Sequence, residues 1–375
     1  MILVAVLMLG GVAGLMVQIG RNGGPRPTDN PGSSPSGILY SSHTPISIDG
    51  DGNFTAGNGV SSGTGTAYNP YIIHDLDINT SSAAGIQILN TSAHFVVRDC
   101  YLHDGGYGIS LSNCTNGTLD NNTCSKDYSG IRLELSSNNT VVNNNCSNSL
   151  WGIELDSSNS NTVCNNTCNS NNFFSIYLDS IGIYLGSSSG NILLNNTCSN
   201  NTNGICLWLS TANSLSNNTC ASNSDSGILV LFSGNSNLSG NKLYENLAFG
   251  VNVTWGLNNC IWNNTFIGNN GAGGVYDINH AQALDDDPFL ENHWNISGSP
   301  HGYGNYWSDW TGPDANINGI VDSPYNIAGS AGANDSYPLT TPQAPIPEFG
   351  MMPIVAMAFM AVIVLAGEKR RRKTR

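Results

Sequence analysis

One polar tetrapeptide recurs along the middle of the chain at a nearly constant interval. NNTC begins at Asn121, Asn165, Asn195 and Asn217, and the variant NNNC begins at Asn143. The steps between successive copies are 22, 22, 30 and 22 residues. A fixed period of this size is typical of a solenoid, in which each repeat forms one coil.

A second motif, glycine followed by a β-branched residue, runs in phase with the first. Successive copies are separated by 22–24 residues, except for one step of 30 residues that encloses an insertion at 169–181. The copies begin at Gly85, Gly108, Gly130, Gly152, Gly182, Gly204, Gly227, Gly250 and Gly274. In the copy GIRLEL, Ile131, Leu133 and Leu135 alternate with Arg132 and Glu134, which predicts a strand with one buried face. Repeats of this length have room for short strands but not for a helix pair, so the sequence predicts an all-β solenoid, a parallel β-helix.

The tetrapeptide itself predicts a turn followed by an inward-facing side chain. Asn tolerates left-handed backbone and can bond the equivalent Asn of the next coil, so we interpret the Asn pair as a ladder at a turn. The last position of the tetrapeptide forms one column: Cys100, Cys124, Cys146, Cys168, Cys198 and Cys220, then Leu243 and Phe266. Leu and Phe in this column favour buried thiols, because free Cys packs as a small hydrophobe. Disulfides between coils and a thiolate metal ladder are the alternatives.

Both ends of the chain are apolar. Residues 1–20 are long enough for a signal peptide or signal anchor, and 350–367 form a second apolar run before the basic tail EKRRRKTR. Because basic residues beside an apolar segment stay cytoplasmic, we expect an extracellular protein anchored to the membrane at its C-terminus. The predicted organisation is a signal peptide or anchor (1–20), linker (21–36), N-terminal cap (37–80), β-helix repeats (81–280), C-terminal cap (281–340), linker with a PEF motif (341–349), transmembrane segment (350–367) and cytoplasmic tail (368–375).

Charge separates this tail from the rest of the chain. Residues 37–349 contain 24 acidic and 4 basic residues, a formal net charge of 4 − 24 = −20. Such a surface repels nucleic acid, so we expect no nucleic-acid partner. An extracellular placement exposes Asn-X-Ser/Thr sequons to glycosylation, and the candidates in the repeats are Asn121, Asn138, Asn165, Asn195 and Asn217.

The outward-facing columns contain residues suited to a polysaccharide. The repeat phase gives two adjacent columns: Ser110, Arg132, Glu154, Tyr184 and Cys206, and then Ser112, Glu134, Asp156, Gly186 and Trp208. Tyr184 and Trp208 are the candidate carbohydrate-binding residues.

Four charged residues of these columns form the candidate catalytic patch. Arg132, Glu134, Glu154 and Asp156 would supply an acid, a base and charge neutralisation for a lyase, hydrolase or epimerase. Stacked opposite charges also stabilise a sheet without any catalytic role, which is the alternative.

A metal site is predicted near the end of the solenoid. Asp314, Asn316, Asn318 and Asp322 lie in DANINGIVD, and oxygen ligands on alternate residues followed by Gly resemble the first half of an EF-hand loop. Calcium is therefore the expected cofactor. A turn rich in Asn and Asp that caps the β-helix is the alternative.

Three stretches together resemble a known family. The opening segment 46–73, the repeats and the segment GNYWSDWTGPDANINGIVDSPYNI (304–327) are similar to archaeal surface proteins with NosD-like repeats. This resemblance implies a right-handed, single-stranded parallel β-helix over roughly residues 46–340. The family is often described as copper-binding, but all seven Met lie in the terminal segments and the seven His share no repeat phase, so we expect no copper here.

The C-terminus carries a separate resemblance. PIPEFG (345–350), the apolar run and the basic tail are similar to the PEF-CTERM sorting signal of archaea. The resemblance implies cleavage near Pro347, Glu348 and Phe349 by an archaeosortase and transfer to a surface lipid. An ordinary C-terminal membrane anchor is the alternative.

These observations favour a non-enzymatic, surface-anchored rod: an adhesin, a carbohydrate-binding protein or an envelope component whose partner is a polysaccharide or envelope glycan. An enzyme acting on polysaccharides through the face around Arg132 and Glu154 is the alternative. A copper-handling protein is a third hypothesis, supported by the family description alone.

Overall fold

The computed structural model describes residues 40–79, 84–172, 179–286, 292–297 and 303–342. Contacts divide the chain after Ile38, and all of the described residues belong to the second unit, 39–375. The signal segment 1–20, the linker 21–36, the motif Pro347-Glu348-Phe349, the apolar segment 350–367 and the tail 368–375 lie outside the described residues. Among the residues that are described, no helix is both long and apolar enough to cross a membrane.

The fold is the parallel β-helix that the repeats predict, with the right hand that the family resemblance implies, and three faces of stacked strands enclose its core. Sheet 1 carries the Gly-Ile motif, and all of its neighbouring strands pair in parallel. Its ten described strands are Ile46–Asp49, Ala84–Thr91, Tyr107–Cys114, Ser129–Glu134, Trp151–Asp156, Ile181–Gly186, Asn203–Trp208, Ile228–Leu231, Val251–Thr254 and Ala283–Asp286.

Sheet 2 follows the first corner of each coil and is parallel except where its first strand pairs antiparallel with the second. Its ten described strands are Val60–Ser62, Tyr71–His74, Phe95–Arg98, Gly117–Asp120, Thr140–Val142, Thr162–Cys164, Ile192–Leu194, Ser214–Ser216, Asn237–Ser239 and Cys260–Trp262.

Sheet 3 has two four-stranded parts, which single bridges from Thr123 through Asn145, Thr167 and Thr197 to Thr219 join into one face. Its strands are Ser41–Ser42, Leu76–Asn79, Tyr101–His103, Thr123–Ser125, Thr219–Ala221, Lys242–Tyr244, Thr265–Ile267 and Tyr306–Trp307. Short 3-10 helices are found at Asp51–Asn53, Ala56–Asn58, Asn269–Gly271 and Ile278–His280. A final antiparallel pair joins Tyr325–Asn326 to Asn334–Asp335.

The core contains the predicted cysteine column. All six of its cysteines are fully buried, and register pairing continues the column from Cys220 through Leu243 and Phe266 to Trp307. All ten cysteines are free thiols, which supports the buried-thiol interpretation rather than a disulfide framework. Burial raises the pKa of Cys124 and Cys146 well above the ordinary thiol value, so both are protonated at neutral pH.

The two asparagines of each tetrapeptide have different roles: the first forms the predicted turn and the second forms the predicted ladder. The first adopts the left-handed conformation, as at Asn121 and Asn165 with φ of 53° and 56°. The second is buried, and its backbone N–H and Nδ2 both donate to Oδ1 of the next at 2.9–3.0 Å. This amide ladder runs through Asn122, Asn144, Asn166, Asn196, Asn218, Asn241, Asn264 and Asn305.

Three such interior ladders end on buried carboxylates. Asn305 donates its backbone N–H to Oδ2 of Asp335 at 2.6 Å. A second ladder ends where Asn292 donates to Asp285 at 3.0 Å, and a third ends where Gln282 donates to Asp309 at 2.6 Å. A carboxylate only accepts hydrogen bonds. It therefore pairs with the N–H groups that have no further amide partner at the last coil of each ladder.

The alternation predicted for GIRLEL is wrong at its last residue. Ile131 and Leu133 are fully buried, but Leu135 is 61% exposed. Leu135 has a φ of 50°, so it lies at the corner after the strand rather than within it. The corner ends the period-two alternation and turns this leucine outward.

Candidate functional site

The two outward columns of sheet 1 follow the predicted register. Arg132, Glu154, Tyr184 and Cys206 are successive partners in adjacent strands. The neighbouring column pairs Glu134, Asp156, Gly186 and Trp208 in the same way. The β-helix therefore brings together the residues that the sequence places in the candidate catalytic patch.

Arg132 lies at the centre of this charged patch. Its Nε is 3.2 Å from Oε1 of Glu154, and its two terminal nitrogens are 3.2 and 3.3 Å from the carboxylate of Glu134. Asp156 lies 3.9 Å from the same guanidinium. One cation thus bridges three carboxylates, and the patch has a net negative charge.

Glu154 is the most enclosed of the three carboxylates. It is 6% exposed, and the hydroxyl of Ser129 donates to its Oε2 at 2.6 Å. Burial raises the pKa of Glu154, and the hydrogen bond from Ser129 and the charge of Arg132 offset part of that rise. Glu154 is therefore the residue of this patch that is best suited to hold a proton as a general acid.

A row of four aromatic side chains lies beside the charged patch, and we call it the aromatic row. It contains Tyr107, Tyr128, Trp151 and Tyr184. Successive ring centroids are 6.1, 5.7 and 5.0 Å apart, and the last pair is stacked. The guanidinium carbon of Arg132 lies 5.3 Å from the centre of the Tyr107 ring, within range of a cation–π contact. Charge and aromatic surface therefore form one continuous site.

The repeat columns predicted only Tyr184 of this row as a binding residue. The other three could have been found from the sequence, because an aromatic residue occurs one or two positions before the Gly-Ile pair in three consecutive repeats, at Tyr107, Tyr128 and Trp151. Trp208, the second predicted binding residue, is 39% exposed and pairs in register with Gly186 on the coil before it.

The predicted calcium loop is compact and folded by its own side chains. Asp314 accepts hydrogen bonds from the backbone N–H groups of Asn318 and Gly319 at 3.1 and 2.9 Å. Asn316 accepts a third from the N–H of Asn318, and Asp322 accepts one from the residue that follows Asp314. The structure brings the four predicted ligands into one loop, and calcium binding there stays a prediction.

The five glycosylation candidates all lie at corners of the solenoid. Each has a positive φ, between 53° and 58°. Asn121, Asn138 and Asn195 are exposed, whereas Asn165 and Asn217 are half-buried. Glycosylation also stays a prediction.

The donors that copper favours are not gathered at an accessible site in the described part of the chain. The cysteine column is enclosed in the core, and the side chains of His74 and His103 contact neighbouring aspartates. No group of three or more His, Cys, Asp or Glu among the described residues could hold a metal ion. The described donors therefore do not fit a copper centre.

Several solved structures are similar to this chain at low sequence identity. A mutant of the periplasmic alginate epimerase AlgG is 16% identical, with 64% of this chain and 68% of that chain covered and a TM-score of 0.41. The pectate lyase Pel9A is 15% identical, with 71% and 75% covered and a TM-score of 0.41. PfbA, a surface adhesin of Streptococcus pneumoniae, is 13% identical, with 53% and 68% covered and a TM-score of 0.34.

The sequence of this chain shows which family it belongs to. Among curated proteins, none matches this sequence significantly. The sequence model of the family described as periplasmic copper-binding protein (NosD) matches residues 44–181 and 176–312, which together span most of the β-helix. The chain belongs to the NosD family.

Proposed function

We propose that this protein is a polysaccharide-binding protein of the cell envelope and that sheet 1 is its binding surface. The observation that carries the proposal is the aromatic row from Tyr107 to Tyr184, which lies against the Arg132 patch on the outer face of a rigid solenoid.

The chemistry of this face suits a sugar. Aromatic rings bury the apolar C–H faces of a pyranose, and the neighbouring carboxylates accept hydrogen bonds from its hydroxyl groups. The strands of sheet 1 fix the row by register pairing, so little freedom is lost when a ligand binds. A row of rings spaced by 5.0–6.1 Å matches the repeat of a polymer better than it matches a single small ligand.

The proposed location is outside the cytoplasm, with the protein anchored at the cell surface. The apolar segments 1–20 and 350–367 and the basic tail support this location, and so does the periplasmic description of the family. Archaeal origin, processing at the PEF motif by an archaeosortase, and glycosylation of the corner asparagines belong to the same proposal.

Retention on immobilised polysaccharides tests the binding function. The full-length protein is kept in a detergent without a sugar headgroup and passed over neutral and acidic polysaccharides. Replacement of Trp151 by Ala should abolish retention, because Trp151 lies between Tyr128 and Tyr184 in the row. Tyr68→Ala is the matched control, since Tyr68 is fully exposed away from sheet 1 and its loss should change nothing. Equal retention of Trp151→Ala and the native protein would contradict the proposal.

A polysaccharide-active enzyme is the second candidate function, and the raised pKa of the buried Glu154 favours it. A raised pKa lets a carboxyl group hold its proton to higher pH, and such a group can protonate a glycosidic oxygen. Product analysis in the same retention experiment distinguishes the two functions. Chain cleavage or epimerisation that is lost in Glu154→Gln would make the protein an enzyme, whereas retention without turnover leaves a binding protein.

A further inference from the structure

Three more aromatic side chains are exposed on the coils that follow the aromatic row. Trp208, Phe232 and Trp255 are 39%, 52% and 51% exposed. They lie on, or directly after, the next three strands of sheet 1 beyond the strand of Tyr184. With the aromatic row, each of seven successive coils carries a surface aromatic side chain, and we call the whole set the diagonal track.

The register position of the aromatic residue is nearly constant from Tyr107 to Trp151 and then shifts across the sheet. Trp151 is the first residue of its strand, and the register position of Tyr184 is three residues further along. Trp208 lies two positions beyond Tyr184 in register. Phe232 and Trp255 are the first residues after the ends of their strands. The track therefore crosses the face of sheet 1 at an angle to the solenoid axis.

The middle of the track depends on a glycine. A Cβ atom at Gly186 would lie 2.7 Å from the Tyr184 hydroxyl oxygen and 2.8 Å from a ring carbon, so the Tyr184 ring leans over this residue. Gly186 is the register partner of Trp208. The glycine thus leaves room for the Tyr184 ring to lie over the register partner of Trp208.

The far end of the track uses a backbone conformation that disfavours bulky side chains. Phe232 and Trp255 have φ values of 49° and 55°. The same register position carries Asn113, Leu135, Ser157, Ser187 and Leu209 on earlier coils, also with positive φ. Asn tolerates this conformation, whereas a bulky residue in it is strained. Phe232 and Trp255 are exposed at this corner, as Leu135 and Leu209 are, so the two rings contribute little to the core and remain available to a ligand.

Charge selects the kind of ligand. The Arg132 guanidinium, which lies beside the track, is already shared by three carboxylates. A uronate or sulfated polymer would meet this net negative patch and be repelled. We infer that the diagonal track binds a linear polysaccharide without carboxylate or sulfate groups along its whole length. The inference rests on the proposed function and adds the length and charge of its ligand.

The geometry sets the length of the bound segment. Six coil-to-coil steps of about 4.8 Å and a sideways shift of six residues at about 3.3 Å give a path of roughly 35 Å, enough for about seven sugar units. The aromatic row alone covers only the first half of that path.

Calorimetric titration of the full-length protein, in a detergent without a sugar headgroup, tests the track. The probes are cello-, xylo- and manno-oligosaccharides of three and seven units, with oligouronates of the same lengths. For at least one neutral series the heptasaccharide should bind about tenfold more tightly than the trisaccharide, equivalent to about 1.4 kcal/mol. The variant Phe232→Asn/Trp255→Asn should lose this gain while it keeps its affinity for the trisaccharide. Asn fits the left-handed corners, so this variant keeps the fold.

The outcomes separate the track from the binding function. If the double variant binds the heptasaccharide as tightly as the native protein while Trp151→Ala does not, the track is overturned and the aromatic row stands. Tighter binding of oligouronates than of neutral oligosaccharides would overturn the inferred charge of the ligand. If the native protein binds none of the oligosaccharides, the proposed function and the track are both overturned.

Discussion

The inside and the outside of the same coils obey different rules. Along the interior ladder the same residue type returns at Asn166, Asn196 and Asn218, with the same hydrogen bonds at nearly the same lengths. Along the outward column two positions after each Gly, by contrast, Arg132 is followed by Glu154 and then by Tyr184. Repetition inside therefore reports what the solenoid needs, whereas variation outside reports what a site on its surface needs.

The largest loss of stability is expected in the interior amide ladder, for Asn196→Ala. This side chain donates to the carbonyl of Val163 and to Asn218, and it accepts two hydrogen bonds from Asn166. Its removal leaves buried donors and an acceptor without partners, at a cost of about 4 kcal/mol in the free energy of unfolding. Urea denaturation measures this loss.

The matched control is Asn200→Gly. Asn200 is an exposed corner residue with a φ of 58°, which glycine also adopts, so its free energy of unfolding should stay within about 0.5 kcal/mol of the native value. If the two variants were equally stable, the distinction between interior repetition and outer variation would be wrong.

The next effect is expected where the first interior ladder ends. Burial raises the pKa of Asp335 to about 6 from 3.8, and hydrogen bonds from Asn305 and Trp307 offset part of the rise. Between these two values the folded protein keeps a proton that the unfolded chain has released. Stability should therefore fall by about 3 kcal/mol as the pH rises from about 4 to about 6, and then level off.

Urea unfolding at a series of pH values checks the role of Asp335. The variant Asp335→Asn cannot titrate, so its stability should depend less steeply on pH in this window than that of the native protein. An unchanged slope would mean that the ladder ends on an ordinary carboxylate.

A smaller effect is expected from calcium, at a loop that belongs to no repeat. If the loop binds calcium as its sequence predicts, a calcium concentration about 100-fold above the dissociation constant would raise the free energy of unfolding by about 2.7 kcal/mol, or less if only the C-terminal cap responds. Differential scanning calorimetry with calcium, and with magnesium as the control, measures this change. Asp314→Asn should abolish it, because Asp314 supplies the first predicted ligand. An equal response in Asp314→Asn would remove calcium from the proposal.

The features that the sequence could predict are those fixed by the repeat, and the features that it could not predict lie at corners or outside the repeats. The coil, the cysteine column and both outward columns were predictable because a fixed period fixes register. Leu135 was placed inward wrongly because the position of a corner depends on backbone torsion, which apolar periodicity does not report. Trp151 was missed because it precedes the glycine from which the columns were counted. Asp335 was unpredictable as the end of a ladder, since it belongs to no repeat and reaches Asn305 only through the folded cap.

The smallest change in stability is expected on the outer surface, where a substitution should raise the free energy of unfolding instead of lowering it. In Trp255→Asn a bulky residue is replaced at a φ of 55° by one that tolerates this conformation, so the protein should become more stable by about 1 kcal/mol. Trp208→Asn is the matched control: Trp208 is an exposed tryptophan within a strand, where Asn is disfavoured, and no gain is expected there. Urea denaturation of the two variants measures the difference. A gain at Trp255 together with weaker binding of a neutral heptasaccharide would show that the solenoid gives up stability at this corner to keep a ring on its surface. Loss of stability in Trp255→Asn would instead mean that the ring supports the fold, and the strongest reason for extending the aromatic row beyond Tyr184 would disappear.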